Sequence, residues 1–223
     1  MFKIPDFKKA MEYENDFYLS CNKARIGKLL AHYELYKMAS KAPGAIVECG
    51  VFKGVSFVRF AVFESLYGKK PHKKLIGFDT FSKFPETSFK PDIKYREKFI
   101  KAAGENSISR QQLEKVLRNK GIGENIEMIE GDILKTVPEY LRKNPSLKIS
   151  LLNLDTDVYE PASVILENFY PRISKGGILV LDDYKIFPGE TRAVDEYFIN
   201  KNVSIKSFNH LTTPRFIVKS RSI

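Results

Sequence analysis

Two stretches decide the fold: ISLLNLDTDVYE at residues 149–160 and GGILVLDDY at residues 176–184. Each contains an apolar run that is too short, and too closely flanked by Gly or Pro, to form a buried helix, so both runs predict parallel core strands. Each strand ends in carboxylates, which are Asp155, Asp157, Asp182 and Asp183. Ligands of open α/β sheets bind beyond the carboxyl ends of the strands. Because clustered carboxylates repel one another unless a cation or a proton compensates them, we expect a divalent metal site at this edge.

The rest of the chain supplies the other strands of the same sheet. Apolar runs at residues 45–51, 73–79 and 125–130 alternate with segments of helical periodicity. Strands that alternate with helices predict an open, mostly parallel sheet with helices on both faces.

The C-terminal end has the pattern of an antiparallel pair at the sheet edge. Two short strand-like runs, at residues 203–208 and 215–219, lie close together, with His210 and Thr212–Pro214 between them. The whole chain therefore predicts a Rossmann-like open twisted α/β sheet of about seven strands, mostly parallel, with an antiparallel terminal hairpin.

The chain of 223 residues, 43% of them hydrophobic, suits a single domain. We divide it into a helical N-terminal extension at residues 1–42, a core at residues 43–80 and 109–223, and a lid at residues 81–108. The lid segment is rich in Pro, Ser and aromatic residues and shows no clear period. Long irregular insertions in compact domains are usually functional or mobile, so we expect this segment to close over the site.

The formal charge of +10 favours anionic partners, although the basic residues are spread along the chain without a long basic run. The two cysteines, Cys21 and Cys49, form neither a disulfide framework nor a metal-binding spacing. The N-terminus lacks the apolar core of a signal peptide, and no stretch is long enough to cross a bilayer. We therefore expect a cytoplasmic protein that does not associate with membranes.

The first strand and the turn after it are typical of the first half of a nucleotide-binding unit. The segment VECGVFKGVS at residues 47–56 carries Gly50 and Gly54 in this turn, where glycine allows a close approach of the backbone to a ligand. The spacing is not GxGxxG, and a tight turn also uses glycine for structural reasons alone. Glu48 can accept a hydrogen bond from a cationic amine, and Asp79 ends the second strand where these folds bind a ribose diol.

Five ordered pieces of the chain resemble the macrocin O-methyltransferase family. They are VECGVFKGVS (47–56), GFDTFSKFPE (77–86), EGD (130–132), LDTDVYEP (154–161) and GGILVLDDY (176–184). The resemblance covers residues 45–200. It implies an enzyme that depends on S-adenosylmethionine and magnesium and methylates sugar hydroxyls on antibiotics.

The resemblance also implies residue roles. The methionine end of the cofactor would be held by Glu48, Gly50, Gly54 and Ser56. The ribose hydroxyls would be bound by Asp79, and the adenine would lie near Asp132. Magnesium would be bound by Asp155, Asp182 and Asp183. Aspartates at strand ends also cap helices, which is the structural alternative for each of them.

The base that takes the proton from the sugar hydroxyl is Asp155 or Asp157. We favour Asp155, and alternation along a strand would turn both side chains to the same face. The related catechol O-methyltransferases carry a lysine base a few residues beyond the first metal aspartate. The segment Thr156–Tyr159 has no lysine, which favours a carboxylate base and a sugar-like acceptor over a phenol.

The leading hypothesis is a magnesium-dependent O-methyltransferase acting on a sugar hydroxyl, in a glycoside or a nucleotide sugar, or on a similar vicinal diol. The positive charge favours an anionic small-molecule acceptor. One alternative is an RNA methyltransferase, which the charge suggests although no RNA-binding module is present. The other is a non-catalytic protein that retains the fold. The oligomeric state stays open, with a homo-oligomer as one option.

Overall fold

A seven-stranded sheet forms the centre of the chain in a computed structural model that describes residues 2–70 and 72–220. In chain order the strands are β1 (Ala45–Cys49), β2 (Leu75–Asp79), β3 (Ile126–Glu130), β4 (Ile149–Leu154), β5 (Ile173–Leu181), β6 (Lys206–Phe208) and β7 (Leu211–Val218). Their order across the sheet is β3-β2-β1-β4-β5-β7-β6. Strands β1 to β5 are parallel, whereas β7 pairs antiparallel with β5 and β6. The predicted fold class is confirmed.

Helices cover both faces of the sheet. Those in the described residues are α1 (Ala10–Ser20), α2 (Lys23–Ala39), α3 (Val55–Tyr67), α4 (Lys90–Ala103), α5 (Arg110–Asn119), α6 (Ile133–Lys143), α7 (Tyr159–Phe169) and α8 (Pro188–Phe198). Buried side chains of α2, α3 and α5 pack on one face, and those of α6, α7 and α8 on the other. Within the described ranges, no helix is both long enough and apolar enough to span a bilayer.

The alternation of side chains along a strand determines which helices the side chains at its end face. In β5, Leu179 and Leu181 belong to the core beneath α6, α7 and α8, whereas Ile178 and Val180 belong to the core beneath α2 and α3. Successive strand residues point to opposite faces, so Asp182 continues the second series. Its carboxylate is therefore directed towards α2.

The register of the parallel strands places the strand ends side by side. Leu154 pairs with Leu181, so Asp155 and Asp182 follow neighbouring positions on β4 and β5. The Asp155 N–H donates to the carbonyl of Cys49 at 3.0 Å, and the Asp182 N–H donates to the carbonyl of Leu154 at 3.0 Å. The expectation that these carboxylates meet at one edge of the sheet is confirmed.

The segment at residues 81–108 differs from the expectation of irregular structure. Helix α4 runs from Lys90 to Ala103, so that expectation is wrong for half of the segment. Pro91 has the appearance of a helix breaker in the sequence, but it lies in the first turn of α4, where proline costs no hydrogen bond.

Two carboxylates fasten this segment to the body of the protein. Asp92 is fully buried and accepts hydrogen bonds from the N–H of Gly189 at 2.7 Å and the N–H of Tyr159 at 3.0 Å. These two donors lie in the first turns of α8 and α7. Glu160 on α7 accepts a hydrogen bond from the N–H of Ser88 at 2.7 Å. The segment is thus attached at the start of α4.

The terminal hairpin is shifted along the chain from its expected position. Strand β6 is short, and β7 begins at Leu211, so Thr212–Pro214 lie inside a strand instead of in the connection. The pairing of β7 with β5 covers Arg215–Val218, which leaves Pro214 just before the ladder where its missing N–H is not required. His210 remains in the turn.

Candidate active site

A cavity of about 1190 Å³ lies beyond the carboxyl ends of the parallel strands. Most of the site residues expected from the sequence line it, namely Gly50, Ser56, Asp79, Asp132, Asp155, Asp157, Asp182 and Asp183. Glu48 and Gly54 do not line the cavity and lie behind its wall. The cavity exceeds the usual volume of a pocket for one small molecule, which is about 300–1,000 Å³, so it has room for two ligands.

The acid cluster at the sheet edge is a triad of Asp155, Asp182 and Asp183. One carboxylate oxygen from each residue lies within 4.8 Å of the others. Burial, followed by the negative charge of Asp182, raises the pKa of Asp155 well above its usual range. Burial and the neighbouring acids raise the pKa of Asp183 in the same way. Burial and mutual repulsion therefore disfavour the charged forms of Asp155 and Asp183, and a bound cation would offset both effects.

Two side chains of α2 lie against Asp182, the remaining member of the triad. Lys28 donates a hydrogen bond to Asp182 Oδ2, and His32 Nε2 lies 3.7 Å from Asp182 Oδ1. Burial alone would raise the pKa of Asp182, but Lys28 and His32 outweigh burial and hold it well below its usual range. His32 is fully buried and stacks on Phe60 at 5.1 Å between ring centroids. One cation of the chain therefore already faces the acids.

The sequence did not identify Lys28 or His32 as site residues. Lys28 and Asp182 are 154 residues apart, and no local spacing links them. His32 lies in a helical stretch whose aromatic residues are typical of packing, and a single histidine carries little information. Only the combination of β5 alternation with the position of α2 brings these groups together.

Asp157 adopts an unusual backbone conformation beside the triad. Its φ of 62° lies in the left-handed region, which non-glycine residues rarely adopt. Strand β4 has ended at Leu154, so the alternation expected to align Asp155 with Asp157 does not extend to it. The Asp157 side chain is nevertheless buried and lines the cavity, and burial followed by the charge of Asp155 raises its pKa. Backbone strain of this kind is concentrated at functional sites.

Glu190 is a further buried acid that sequence reasoning missed. It is fully buried in the first turn of α8, and its Oε1 accepts a hydrogen bond from the Asp183 N–H at 3.0 Å. Its Oε2 has no hydrogen-bond partner within the described part of the chain. Glu190 therefore fixes the backbone that carries Asp183.

Behind the cavity wall, Glu48 at the end of β1 forms a buried pair with Ser56, which lines the cavity. Ser56 Oγ donates to Glu48 Oε1 at 2.8 Å, whereas Glu48 Oε2 is buried without a partner among the described residues. Burial raises the pKa of Glu48 to about 8. A buried acceptor without a donor is costly, so this oxygen suits a ligand that brings a cationic amine.

Asp79 and Asp132 line the cavity and also have structural roles. The carboxylate of Asp79 accepts hydrogen bonds from the N–H of Phe52 at 2.9 Å and the N–H of Phe81 at 2.6 Å. Asp132 is the N-cap of α6 and accepts from the N–H of Leu134 at 3.0 Å. Each carboxylate keeps free lone pairs for a ligand. Their expected contacts with ribose and adenine stay predictions.

The two glycines of the first turn are required by the protein's own backbone. A Cβ atom on Gly50 would lie 1.7 Å from the carbonyl oxygen of Asp155, and Gly50 has φ of +91°. Gly54 precedes α3 with φ of +81°, and a Cβ there would lie 3.0 Å from Leu113. Gly50 therefore allows β1 to cross closely over the chain that carries the first triad residue.

The fold and the site together define a Rossmann-like α/β protein with a carboxylate triad at the wall of a large ligand cavity and a buried acceptor behind that wall. Similarity to known proteins then identifies the family. The chain belongs to the macrocin-O-methyltransferase family, whose model matches residues 19–210.

Two curated relatives are named as O-methyltransferases. The 8-demethyl-8-(2,3-dimethoxy-alpha-L-rhamnosyl)-tetracenomycin-C 4'-O-methyltransferase of Streptomyces olivaceus is 28% identical over 153 residues, covering 67% of this chain and 56% of the relative. The demethyldecarbamoylnovobiocin O-methyltransferase of Streptomyces niveus is 27% identical over 167 residues, covering 72% of this chain and 60% of the relative. The chain thus spans little more than half the length of these relatives.

A solved structure covers more of the chain. The calicheamicin methyltransferase CalS11 has a TM-score of 0.73 and 25% identity, over 97% of this chain and 86% of that chain. The O-methyltransferase NovP has a TM-score of 0.70 and 20% identity, over 87% of this chain and 80% of that chain, and it supports the fold alone.

Proposed function

We propose that this protein is an S-adenosylmethionine-dependent, Mg²⁺-dependent O-methyltransferase that acts on a hydroxyl of a sugar, in a glycoside or a nucleotide sugar. The observation that carries the proposal is the carboxylate triad at the cavity wall, together with the buried Glu48 oxygen behind that wall, which has no hydrogen-bond partner among the described residues. Family membership supplies the reaction class. The rest of the proposal follows from the residues that line the cavity.

The methionine end of the cofactor fits the buried pair at the end of β1. Its ammonium group would complete the hydrogen bonding of Glu48 Oε2, while Ser56 holds the other oxygen. When bound, the cofactor supplies a methyl group that is already activated by the sulfonium. The cavity volume of about 1190 Å³ leaves room for an acceptor beside it.

The triad fits a divalent cation of the magnesium type. Magnesium prefers carboxylate oxygens and keeps open positions for water and substrate oxygens, which agrees with the donor set of Asp155, Asp182 and Asp183. When bound, magnesium supplies a Lewis acid that lowers the pKa of a sugar hydroxyl and fixes its direction. Asp182 Oδ1 is buried without a hydrogen-bond partner among the described residues, which supports a ligand at this position.

Asp155 and Asp157 both remain candidates for the base, and the geometry divides their roles. Asp155 belongs to the triad, whereas Asp157 lines the same cavity outside it. A carboxylate that is not occupied as a metal ligand can accept a proton from the acceptor hydroxyl. We therefore propose that Asp157 is the proton acceptor and that Asp155 is a metal ligand.

The acceptor is proposed from the relatives and from the charge. The names of two curated relatives refer to a rhamnosyl compound and to a novobiocin derivative, and a second CalS11 structure is described as a TDP-rhamnose 3'-O-methyltransferase. A chain with a formal charge of +10 favours anionic ligands, which nucleotide sugars are.

Methyl transfer to a panel of glycosides and nucleotide sugars tests the proposal, with S-adenosylhomocysteine measured as the product. We expect activity that EDTA abolishes and Mg²⁺ restores, and that Asp155→Ala and Asp182→Ala abolish. Asp16→Ala on α1, outside the cavity, is the control and should keep full activity. Folded Asp155→Ala and Asp182→Ala proteins that retain full methyl transfer in EDTA would contradict the proposal.

A further inference from the structure

Two arginines line the cavity without a partner of opposite charge. Arg25 lies on α2, and the half-buried Arg59 lies on α3. No carboxylate of the described residues forms an ion pair with either guanidinium. A partly buried cation without a partner is unfavourable, so its surroundings suit an anion.

The electrostatics around Arg59 are favourable for binding an anion. Burial lowers the pKa of the Arg59 guanidinium, and the nearby positive charge of Arg25 lowers it further, although Asp182 and Glu48 act in the opposite direction. Two cations close enough to influence each other face the same space. An oxyanion between them would relieve their repulsion, and guanidinium groups bind carboxylates and phosphates in bidentate geometry.

The third cation of this region is already engaged. Lys28 follows Arg25 by three residues, so both lie on the same face of α2 and line the cavity. Lys28 donates to Asp182, whereas neither arginine forms an ion pair with a carboxylate of the described residues. The arginines therefore remain available to a ligand beside the carboxylate triad.

Arg59 is also placed close to the buried pair at the end of β1. It follows Ser56 by three residues on α3, so the two side chains lie on one face of the helix. Ser56 bonds Glu48, whose second oxygen is unpartnered. An acid that suits an ammonium and an arginine that suits an oxyanion thus lie near each other, with Arg59 at the cavity wall and Glu48 behind it.

We propose that Arg59, assisted by Arg25, forms an oxyanion-binding site in the cavity. The proposal rests on the proposed function, because the two oxyanions that this reaction brings are the methionine carboxylate of the cofactor and a phosphate of a nucleotide-sugar acceptor. The proximity of Glu48 favours the carboxylate, since the two groups together match an amino-acid zwitterion.

Calorimetry with three probes identifies the oxyanion. The probes are S-adenosylhomocysteine, 5′-methylthioadenosine, which has the nucleoside but no amino-acid end, and a nucleoside diphosphate. If the site binds the carboxylate, Arg59→Met lowers the affinity for S-adenosylhomocysteine by about 10- to 100-fold, as expected for one charge-assisted contact. The affinity for methylthioadenosine then stays within about twofold of the wild-type value. If a phosphate is bound, the same variant weakens only the nucleoside diphosphate.

Two further variants protect the experiment against a folding defect. Arg25→Met should weaken the same probe as Arg59→Met by a smaller factor, and Arg59→Lys should fall between wild type and Arg59→Met. Arg142→Met on the exposed face of α6 is the control and should bind all three probes normally.

The outcomes separate this site from the proposed function. Wild-type protein that binds S-adenosylhomocysteine, with unchanged affinities for all probes in both methionine variants, overturns the oxyanion site and leaves the methyltransferase intact. Wild-type protein that binds neither S-adenosylhomocysteine nor methylthioadenosine contradicts the proposed function itself. Arg59→Met protein that loses methylthioadenosine as strongly as S-adenosylhomocysteine also overturns the site, because the loss then does not depend on the oxyanion.

Discussion

At the scale of single residues, Glu48 is a buried carboxylate whose hydrogen bonding is incomplete within the described residues. Its Oε2 is buried and lacks a partner among the described residues, so replacing the carboxylate by an amide removes the acceptor for the cofactor's ammonium while keeping the shape. We predict that Glu48→Gln weakens S-adenosylhomocysteine binding by about 10- to 100-fold. Calorimetry measures the change, with Glu139→Gln on the surface of α6 as the control. Equal affinities in all three proteins would show that Glu48 does not contact the cofactor.

Glu48 also predicts how stability depends on pH. Its pKa is raised from 4.5 to about 8 in the folded protein, so the native state binds a proton that the unfolded state releases between these values. The free energy of unfolding should therefore fall as pH rises from about 4.5 to about 8. Urea denaturation in EDTA, repeated across this range, should show a shallower fall for Glu48→Gln than for wild type. Parallel profiles for the two proteins would mean that Glu48 is ionised throughout.

The proposed roles of Asp155 and Asp157 predict different effects when each is replaced by asparagine. Asp157→Asn should keep Mg²⁺ binding and lower the rate of methyl transfer by about 100-fold or more, because it removes the proton acceptor. Asp155→Asn should lose both Mg²⁺ binding and activity. Calorimetry with Mg²⁺ and a product assay measure the two properties separately. The assignment is reversed if Asp157→Asn protein is fully active while Asp155→Asn protein still binds the metal.

The acids of the site were accessible from sequence because each follows a recognisable strand. A short apolar run that ends in aspartate predicts, from a few neighbouring residues, that the aspartate lies at the end of a strand. Parallel strands then bring such ends together. Lys28, His32 and Glu190 carry no such pattern. Their positions depend on how α2 and α8 pack against the strand ends, which local sequence does not specify. Arg59 lies in an apolar helix, where a single arginine has the appearance of a surface residue.

At the scale of elements, Asp92 determines how firmly α4 is attached. It is a buried carboxylate that accepts the N–H groups of Gly189 and Tyr159 in the first turns of two other helices. We predict that Asp92→Asn lowers the free energy of unfolding by about 1.5–3 kcal/mol, because an amide accepts these hydrogen bonds less strongly and brings donors that lack partners.

Limited proteolysis checks the local part of this prediction. Cleavage within residues 84–104 should be faster in the Asp92→Asn protein than in wild type, whereas Lys94→Ala on the exposed side of α4 should behave as wild type. A variant with wild-type stability and a wild-type cleavage pattern would mean that α4 is held by its other contacts, among them those of Glu160.

Helices and strands were predicted well where the hydrophobic periodicity was strong. They were predicted poorly where a proline could either end an element or lie inside it. Strand β4 is a mostly apolar run, and β5 ends in the apolar run at residues 178–181; both their type and their parallel pairing were expected. Pro91 and Pro214 misled the interpretation, because one lies in the first turn of a helix and the other at the start of a ladder. In both places proline loses no hydrogen bond, and only the three-dimensional context reveals this.

At the scale of the whole molecule, the fold brings two opposite charge patterns to one cavity. Carboxylates from the ends of β4 and β5 form one wall, and cations from α2 and α3 form another. This arrangement suits a reaction in which a cationic cofactor, a divalent metal and an anionic acceptor meet.

The central claim is that the triad is the divalent metal site of a methyltransferase. Crystals soaked with Mn²⁺ and S-adenosylhomocysteine, measured at the manganese absorption edge, test it most directly. We predict one strong anomalous peak that places a manganese ion within bonding distance of Asp155, Asp182 and Asp183, with the Lys28 ammonium displaced from Asp182. A cavity that holds S-adenosylhomocysteine while the triad shows no anomalous peak and Lys28 still contacts Asp182 would contradict the claim.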